Sequence, residues 1–156
     1  MVSLPYRRRT SERYNFPAMT TADARLRVRY AETDQMGVVY YANYLIWMEV
    51  GRANYCREAG IRYRDMEIEG GILLAVAEVN CRYKSPARYD DEVVVRTWIA
   101  EANPRMVRFS YEMTECSSGR VLVTGETKHI FCGRDLKPRK LPEKYRPAFG
   151  ISPAQS

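Results

Sequence analysis

From Leu26 the chain alternates, with Leu26, Val28 and Tyr30 set against Arg27 and Arg29, the period of a half-buried strand. A polar stretch, Thr33-Asp34-Gln35-Met36-Gly37, interrupts it and reads as a loop. From Tyr44 to Ala59 the spacing becomes helical, with Asn43 as expected N-cap and Gly60 as the stop. Leu45, Met48, Arg52, Tyr55 and Ala59 share one face, while Tyr44, Ile46, Trp47 and Val50 carry the apolar surface nearly all round, so this helix is expected to be buried on several sides. A short irregular stretch around Gly70-Gly71 leads to strand-like segments near 73–83, 92–101, 106–115 and 121–131. The third alternates most clearly, with Val107, Phe109, Tyr111 and Met113 inward and Arg108, Ser110, Glu112 and Thr114 outward, and Ser117-Ser118-Gly119 turns it into the fourth. An unbroken series of strands after one helix predicts an α+β domain, one helix wrapped by one curved antiparallel sheet.

A length of 156 residues suits one domain with a proper core. Cys56, Cys81, Cys116 and Cys132 form no C-x-x-C pair and have only His129 to join them in binding metal, which argues against zinc and for a reduced, cytoplasmic protein. No apolar run reaches the roughly 18 residues that span a bilayer. The net charge of +6 is concentrated in short segments: 1–18 has four bases and one acid, 134–142 has four bases and one acid, and the body 19–133 has 15 bases against 16 acids. A body without basic excess lacks the footprint of a long polyanion, which argues against nucleic acid. The expected organisation is a flexible basic extension over 1–18, a folded domain over 19–142 and a tail over 143–156, with Met19 as a candidate start.

The chemistry concentrates where the first loop meets the helix. Asp34 offers a base or nucleophile, and the unpaired amides of the helix's first turn offer a positive, hydrogen-bonding end for a carbonyl oxygen. Together they make the two halves of an ester or thioester hydrolase site. The bland alternative is a loop acid in an Asx-turn. Gly37 permits a turn with positive φ or close approach of a ligand. Tyr40 and Tyr41 read either as core residues or as an acyl-pocket wall, so the useful group is the backbone N–H near Tyr41. Glu49 is a second acidic candidate, against an ion pair with Arg52. His129 has no G-x-S-x-G elbow to serve and reads as structural. Lys84, Arg88 and the bases of Arg134–Lys140 are solvated charge or a phosphate site.

The ordered set Tyr30, Asp34, Gly37, Val39, Asn43, Tyr44, Glu49 and Arg52, then Tyr83-Lys84-Ser85-Pro86-Ala87-Arg88-Tyr89-Asp90-Asp91, closely resembles the 4-hydroxybenzoyl-CoA thioesterase-like branch of the hotdog-fold acyl-CoA thioesterases. The Gly125–Phe131 strand and Leu141-Pro142 extend the resemblance over about residues 25–142. It implies a long helix wrapped by five or six antiparallel strands, subunits paired through a continuous sheet as dimer or tetramer, and hydrolysis of an acyl-CoA. It also implies that Asp34 is the essential loop aspartate and that the amide of Tyr41 polarises the thioester carbonyl. Lys84, Arg88, Lys137 and Arg139 are the implied ligands of the CoA phosphates, with Tyr40, Asn43, Tyr44 and Ser85 completing the candidate substrate-binding set. No metal or separate cofactor is implied, since coenzyme A arrives as part of the substrate. A hotdog-fold dehydratase or hydratase, which ordinarily needs an active-site histidine, and a non-catalytic acyl-thioester-binding module are the alternatives.

Overall fold

The computed structural model describes residues 20–152. The proposed extension over 1–18 and Met19 lie outside the described residues. Five strands form one antiparallel sheet: β1 (Thr21–Arg27), β2 (Leu73–Tyr83), β3 (Glu92–Asn103), β4 (Met106–Glu115) and β5 (Val121–Cys132), in the order β1-β3-β4-β5-β2. Helix α1 (Asn43–Glu58) lies across the inner face, and the shorter α2 (Tyr63–Gly70) follows it.

The inward set expected for β4 is the one observed, with Val107, Phe109, Tyr111 and Met113 all buried; of the outward set Ser110 departs, buried with its hydroxyl donating to Glu126 Oε1 at 3.1 Å. Tyr44, Trp47, Met48, Gly51, Tyr55 and Cys56 are the buried side of α1 that covers them. Close approach depends on two glycines. A Cβ at Gly51 would come within 2.5 Å of Thr97 Oγ1, and one at Gly125 within 2.5 Å of both Asn80 O and Met48 Cε.

Five expectations need correcting. The first strand runs Thr21–Arg27 rather than from Leu26 to Tyr30; its inward residues are Ala22 and Ala24, and Tyr30 lies in a 3-10 turn (Tyr30–Glu32), 79% exposed. Small alanines give a weak hydrophobic signal, whereas Tyr30 mimics a strand residue. Asn43 is the first helical residue and not the cap; Ala42 holds the cap position and the Asn43 amide reaches back to the Glu32 carbonyl at 2.8 Å. Helix α1 is not buried all round, because Leu45, Ile46 and Glu49 are exposed. The stretch before Gly71 is helical, and Gly71 closes α2 with φ 62°. Beyond 142, Glu143–Phe149 form a second 3-10 turn that buries Phe149, and Ile151 is buried too, so the folded unit reaches at least Ile151.

Candidate active site

Backbone hydrogen bonds close the first loop into a small hairpin. Thr33 bridges Val39, the Asp34 amide donates to the Val38 carbonyl (2.9 Å), and the Gly37 amide returns to the Asp34 carbonyl (3.0 Å). Gly37 takes φ 79°, a left-handed turn that a side chain would strain. Asp34 Oδ1 accepts the Met36 amide at 2.8 Å, so the Asx-turn is present. It does not consume the carboxylate: Oδ2 has no hydrogen bond among the described residues. The local turn therefore orients one oxygen and leaves the other for chemistry.

The next residues carry the chain into α1. The Tyr40 amide donates to Glu32 O (2.9 Å), and the Tyr40 carbonyl accepts the Asn43 amide (2.9 Å). A trans peptide holds its N–H antiparallel to its C=O. With the Tyr40 carbonyl turned toward the helix, the Tyr41 N–H is turned away from it, and neither it nor the Ala42 N–H meets an acceptor among the described residues. The Tyr83 hydroxyl holds the Tyr41 carbonyl at 3.1 Å. The rings of Tyr40 and Tyr41 lie 4.7 Å apart and both are exposed. The neighbouring Tyr41 hydroxyl raises the Tyr40 pKa most, and the charge of Asp34 adds to the shift.

Arg88 joins this loop, its Nη1 lying 3.5 Å from the Gly37 carbonyl, while the Val39 amide donates to Ala87 O (2.8 Å). Lys84 and Ser85 sit on the same side, their amides both on Leu122 O. Exposed Arg82, and Arg120 with Nη2 3.3 Å from Pro86 O, add positive charge that the sequence had not singled out. Tyr44 is buried, its hydroxyl accepting the Ala87 amide at 3.1 Å, so it supports this wall from inside the core. Lys137 and Arg139 are elsewhere. They follow β5, with Arg139 3.8 Å from Asp135, at the end where Leu73 pairs with Cys132; Lys84 and Arg88 follow the end where Tyr83 pairs with Val123. A strand of this length separates the two groups by roughly 30 Å. One subunit does not bring them together.

Glu49 is exposed on the outer side of α1, and Arg52 turns inward instead of pairing with it, its charge acting on Tyr63, Tyr111 and His129. His129 is buried with Nε2 2.8 Å from Thr127 Oγ1, and burial, aided by Arg52, pushes its pKa down to about 4. Buried in the core, this histidine is not presented to a substrate as the hydratase alternative requires. A cavity of about 290 Å³ lies on the other face of the sheet, lined by Glu78, Val79, Asn80, Arg108, Glu126 and Lys128. Its charges pair among themselves, Arg108 with Glu126 and Lys128 with Glu78, each at 3.6 Å, and it has no contact with Asp34.

Glu32 was not anticipated. Its carboxylate accepts the Arg29 amide (2.8 Å), the Trp47 indole N–H (3.0 Å) and the Arg29 guanidinium (3.2 Å). Burial pushes its pKa up, but these three donors outweigh it and hold the carboxyl below the usual range.

The thioesterase-like superfamily profile matches residues 28–149, which takes in this loop, both helices and β2 to β5. The chain belongs to the thioesterase-like superfamily. As a thioesterase it is a hydrolase of thioesters, and its sheet and helices have the hotdog arrangement. Over 131 residues this thioesterase is 38% identical to the putative acyl-CoA thioesterase YneP of Bacillus subtilis, covering 84% of this chain and 91% of that protein. The acyl-CoA thioesterase YbgC of Haemophilus influenzae is 27% identical over 80% of this chain and 90% of its own. Among solved structures, a DHNA-CoA thioesterase from Staphylococcus aureus superposes with a TM-score of 0.76 at 36% identity, covering 81% of this chain and 84% of that one. Among the described residues no helix is long and apolar enough to cross a membrane.

Proposed function

We propose that the protein hydrolyses an acyl-CoA, converting thioester and water to a free carboxylic acid and CoA-SH, with Asp34 as its essential carboxylate. The observation that carries this reading is the orientation of the Tyr41 N–H, unpaired and turned out of the helix N-terminus beside the loop that holds Asp34. As charge develops on the carbonyl oxygen, that amide and the positive helix end stabilise it, an interaction whose loss in other hydrolases costs roughly 3–4 kcal/mol. Asp34 acts at the carbonyl carbon, as nucleophile forming a mixed anhydride or as general base on water. The thiolate of CoA leaves and takes up a proton.

The basic rim supports the same substrate. Lys84 and Arg88 are exposed beside the loop, suited to a nucleotide's phosphates. β2 is an edge strand, and its Val76 and Val79, like Leu45 and Ile46 on α1, are large apolar residues left exposed in one chain. Two-fold pairing of β2 with a second copy runs the strands antiparallel. Lys84 and Arg88 then approach Lys137 and Arg139 of the partner subunit, and the separated basic groups become one phosphate site. The working unit is thus a homodimer or a dimer of dimers. The four free thiols fit a reducing, cytoplasmic setting.

The test is Asp34→Asn, assayed by thiol release from a panel of aromatic, short and long acyl-CoAs. A folded, oligomeric variant with at least about a 100-fold lower kcat, roughly 2.7 kcal/mol or more of lost transition-state stabilisation, is the expected result. Wild-type turnover by the variant refutes the assignment.

A further inference from the structure

Glu32 touches neither the Asp34 carboxylate nor the open space beside Tyr41, yet its carboxylate and its carbonyl are both committed to the segments that carry them. Its carboxylate ties the turn before the loop, through Arg29, to the first turns of α1, through Trp47. Its carbonyl ties the end of the loop, through the Tyr40 amide at 2.9 Å, to the first helical residue, through the Asn43 side chain at 2.8 Å. The next residue along is Thr33, whose bridge to Val39 starts the hairpin that presents Asp34. One residue therefore sets the spacing between the acid and the amide.

We infer that Glu32 is a positioning residue of this active site, holding the Tyr41 amide in register with the Asp34 carboxylate through the Tyr40 amide, Asn43 and Trp47. The inference rests on the roles given above to Asp34 and the Tyr41 amide. All of the carboxylate's partners are donors: a backbone N–H, an indole N–H and a guanidinium. An ionised carboxylate offers acceptors on both oxygens; a carboxamide would turn an NH₂ toward one of these donors. The side chain is 8% exposed, so water cannot repair the mismatch freely. Relief requires Glu32 to rotate or Trp47 to withdraw, and either motion reaches the Tyr40–Tyr41 peptide. A shift near 1 Å between catalytic groups is enough to cost on the order of 100-fold in rate.

The experiment compares Glu32→Gln, Trp47→Phe and Asp34→Asn with wild type, using thiol release from benzoyl-CoA, hexanoyl-CoA and palmitoyl-CoA, with kcat and KM measured on folded protein of unchanged oligomeric state. For Glu32→Gln the expected result is a kcat lowered about 10- to 100-fold with KM within about two-fold, since the basic rim is untouched. Trp47→Phe keeps most of the packing while removing one donor, and is expected to give the same split with a smaller fall in kcat. It decides the matter if Glu32→Gln does not fold. A kcat within two-fold of wild type in the folded variants, or a loss carried by KM, overturns the positioning role. If Asp34→Asn loses activity while Glu32→Gln keeps it, the positioning role alone falls. If Asp34→Asn keeps activity, or wild type cleaves none of the three probes, the reading of the site falls and the inference with it.

Discussion

The two ends of α1 differ in what they leave unsatisfied. At the N-terminal end the Tyr41 and Ala42 amides have no acceptor among the described residues, Tyr40 and Tyr41 are exposed, and a carboxylate sits in the adjoining loop. At the C-terminal end the carbonyls of Tyr55, Cys56 and Arg57 accept the amides of Ala59, Ile61 and Gly60. The C-terminal end also holds the richer reagents, a thiol and a phenol, but they are sealed. Burial pushes the Cys56 thiol up to about 12 and the Tyr63 hydroxyl well above its usual value. The difference teaches that reactive potential here follows open backbone and access, with residue type secondary. An ordinary aspartate in a hairpin outranks a cysteine in the core.

The sharpest way to break that comparison is to remove one reagent from each end. Asp34→Asn is expected to cost the 100-fold or more in kcat given above, whereas Cys56→Ala should leave kcat within about two-fold while lowering stability through its small cavity. Thiol-release kinetics on both variants, beside their urea midpoints, check this. A Cys56→Ala enzyme as impaired as Asp34→Asn would put the chemistry at the wrong end.

Between the two ends α1 lies close against the sheet. A Cβ at Gly125 would press on the Asn80 carbonyl oxygen, which is backbone and cannot swing aside, as well as on the flexible tip of Met48. Gly125→Ala is therefore expected to destabilise by about 1–3 kcal/mol, typical of overpacking, with β2 or the helix middle displaced. Chemical denaturation measures it, and an unchanged midpoint would mean that the sheet yields there at no cost.

Legibility in the sequence divided along similar lines. The alternation Val107, Phe109, Tyr111, Met113 predicted β4 because large side chains mark the buried face without ambiguity. The Asp34–Gly37 loop and its helix were legible because a turn glycine and a long helical spacing are local signals, although the cap fell on Ala42 and not Asn43. β1 was misplaced because its buried face is Ala22 and Ala24, and α2 was missed because it is eight residues long and buries only Met66. Glu32 carried only the local signal of Arg29 three residues earlier; the rest of its role depends on an indole 15 residues later and on an amide brought back by the hairpin. The separation of Lys84 and Arg88 from Lys137 and Arg139 likewise follows from strand pairing, which proximity in charge pattern does not encode.

The smallest effect distinguishes core from site by pH. His129 is the one histidine in the sequence. In the core it lies against Thr127, near Arg52 and edge-on to Phe109, and burial followed by the charge of Arg52 brings its pKa from 6.5 to about 4. The unfolded chain therefore binds a proton between these values that the folded chain does not, so stability falls as pH falls through the window. Its contribution is complete above about pH 6.5 and declines by at most ~1.4 kcal/mol per pH unit toward pH 4. Glu32, held below its usual value of 4.5, adds its own loss only under more acidic conditions. Urea midpoints at pH 7.0 and about pH 5 should thus differ in wild type, and His129→Gln, although less stable throughout, should lose most of that difference. If the variant keeps the full wild-type slope, the acid sensitivity arises outside the core.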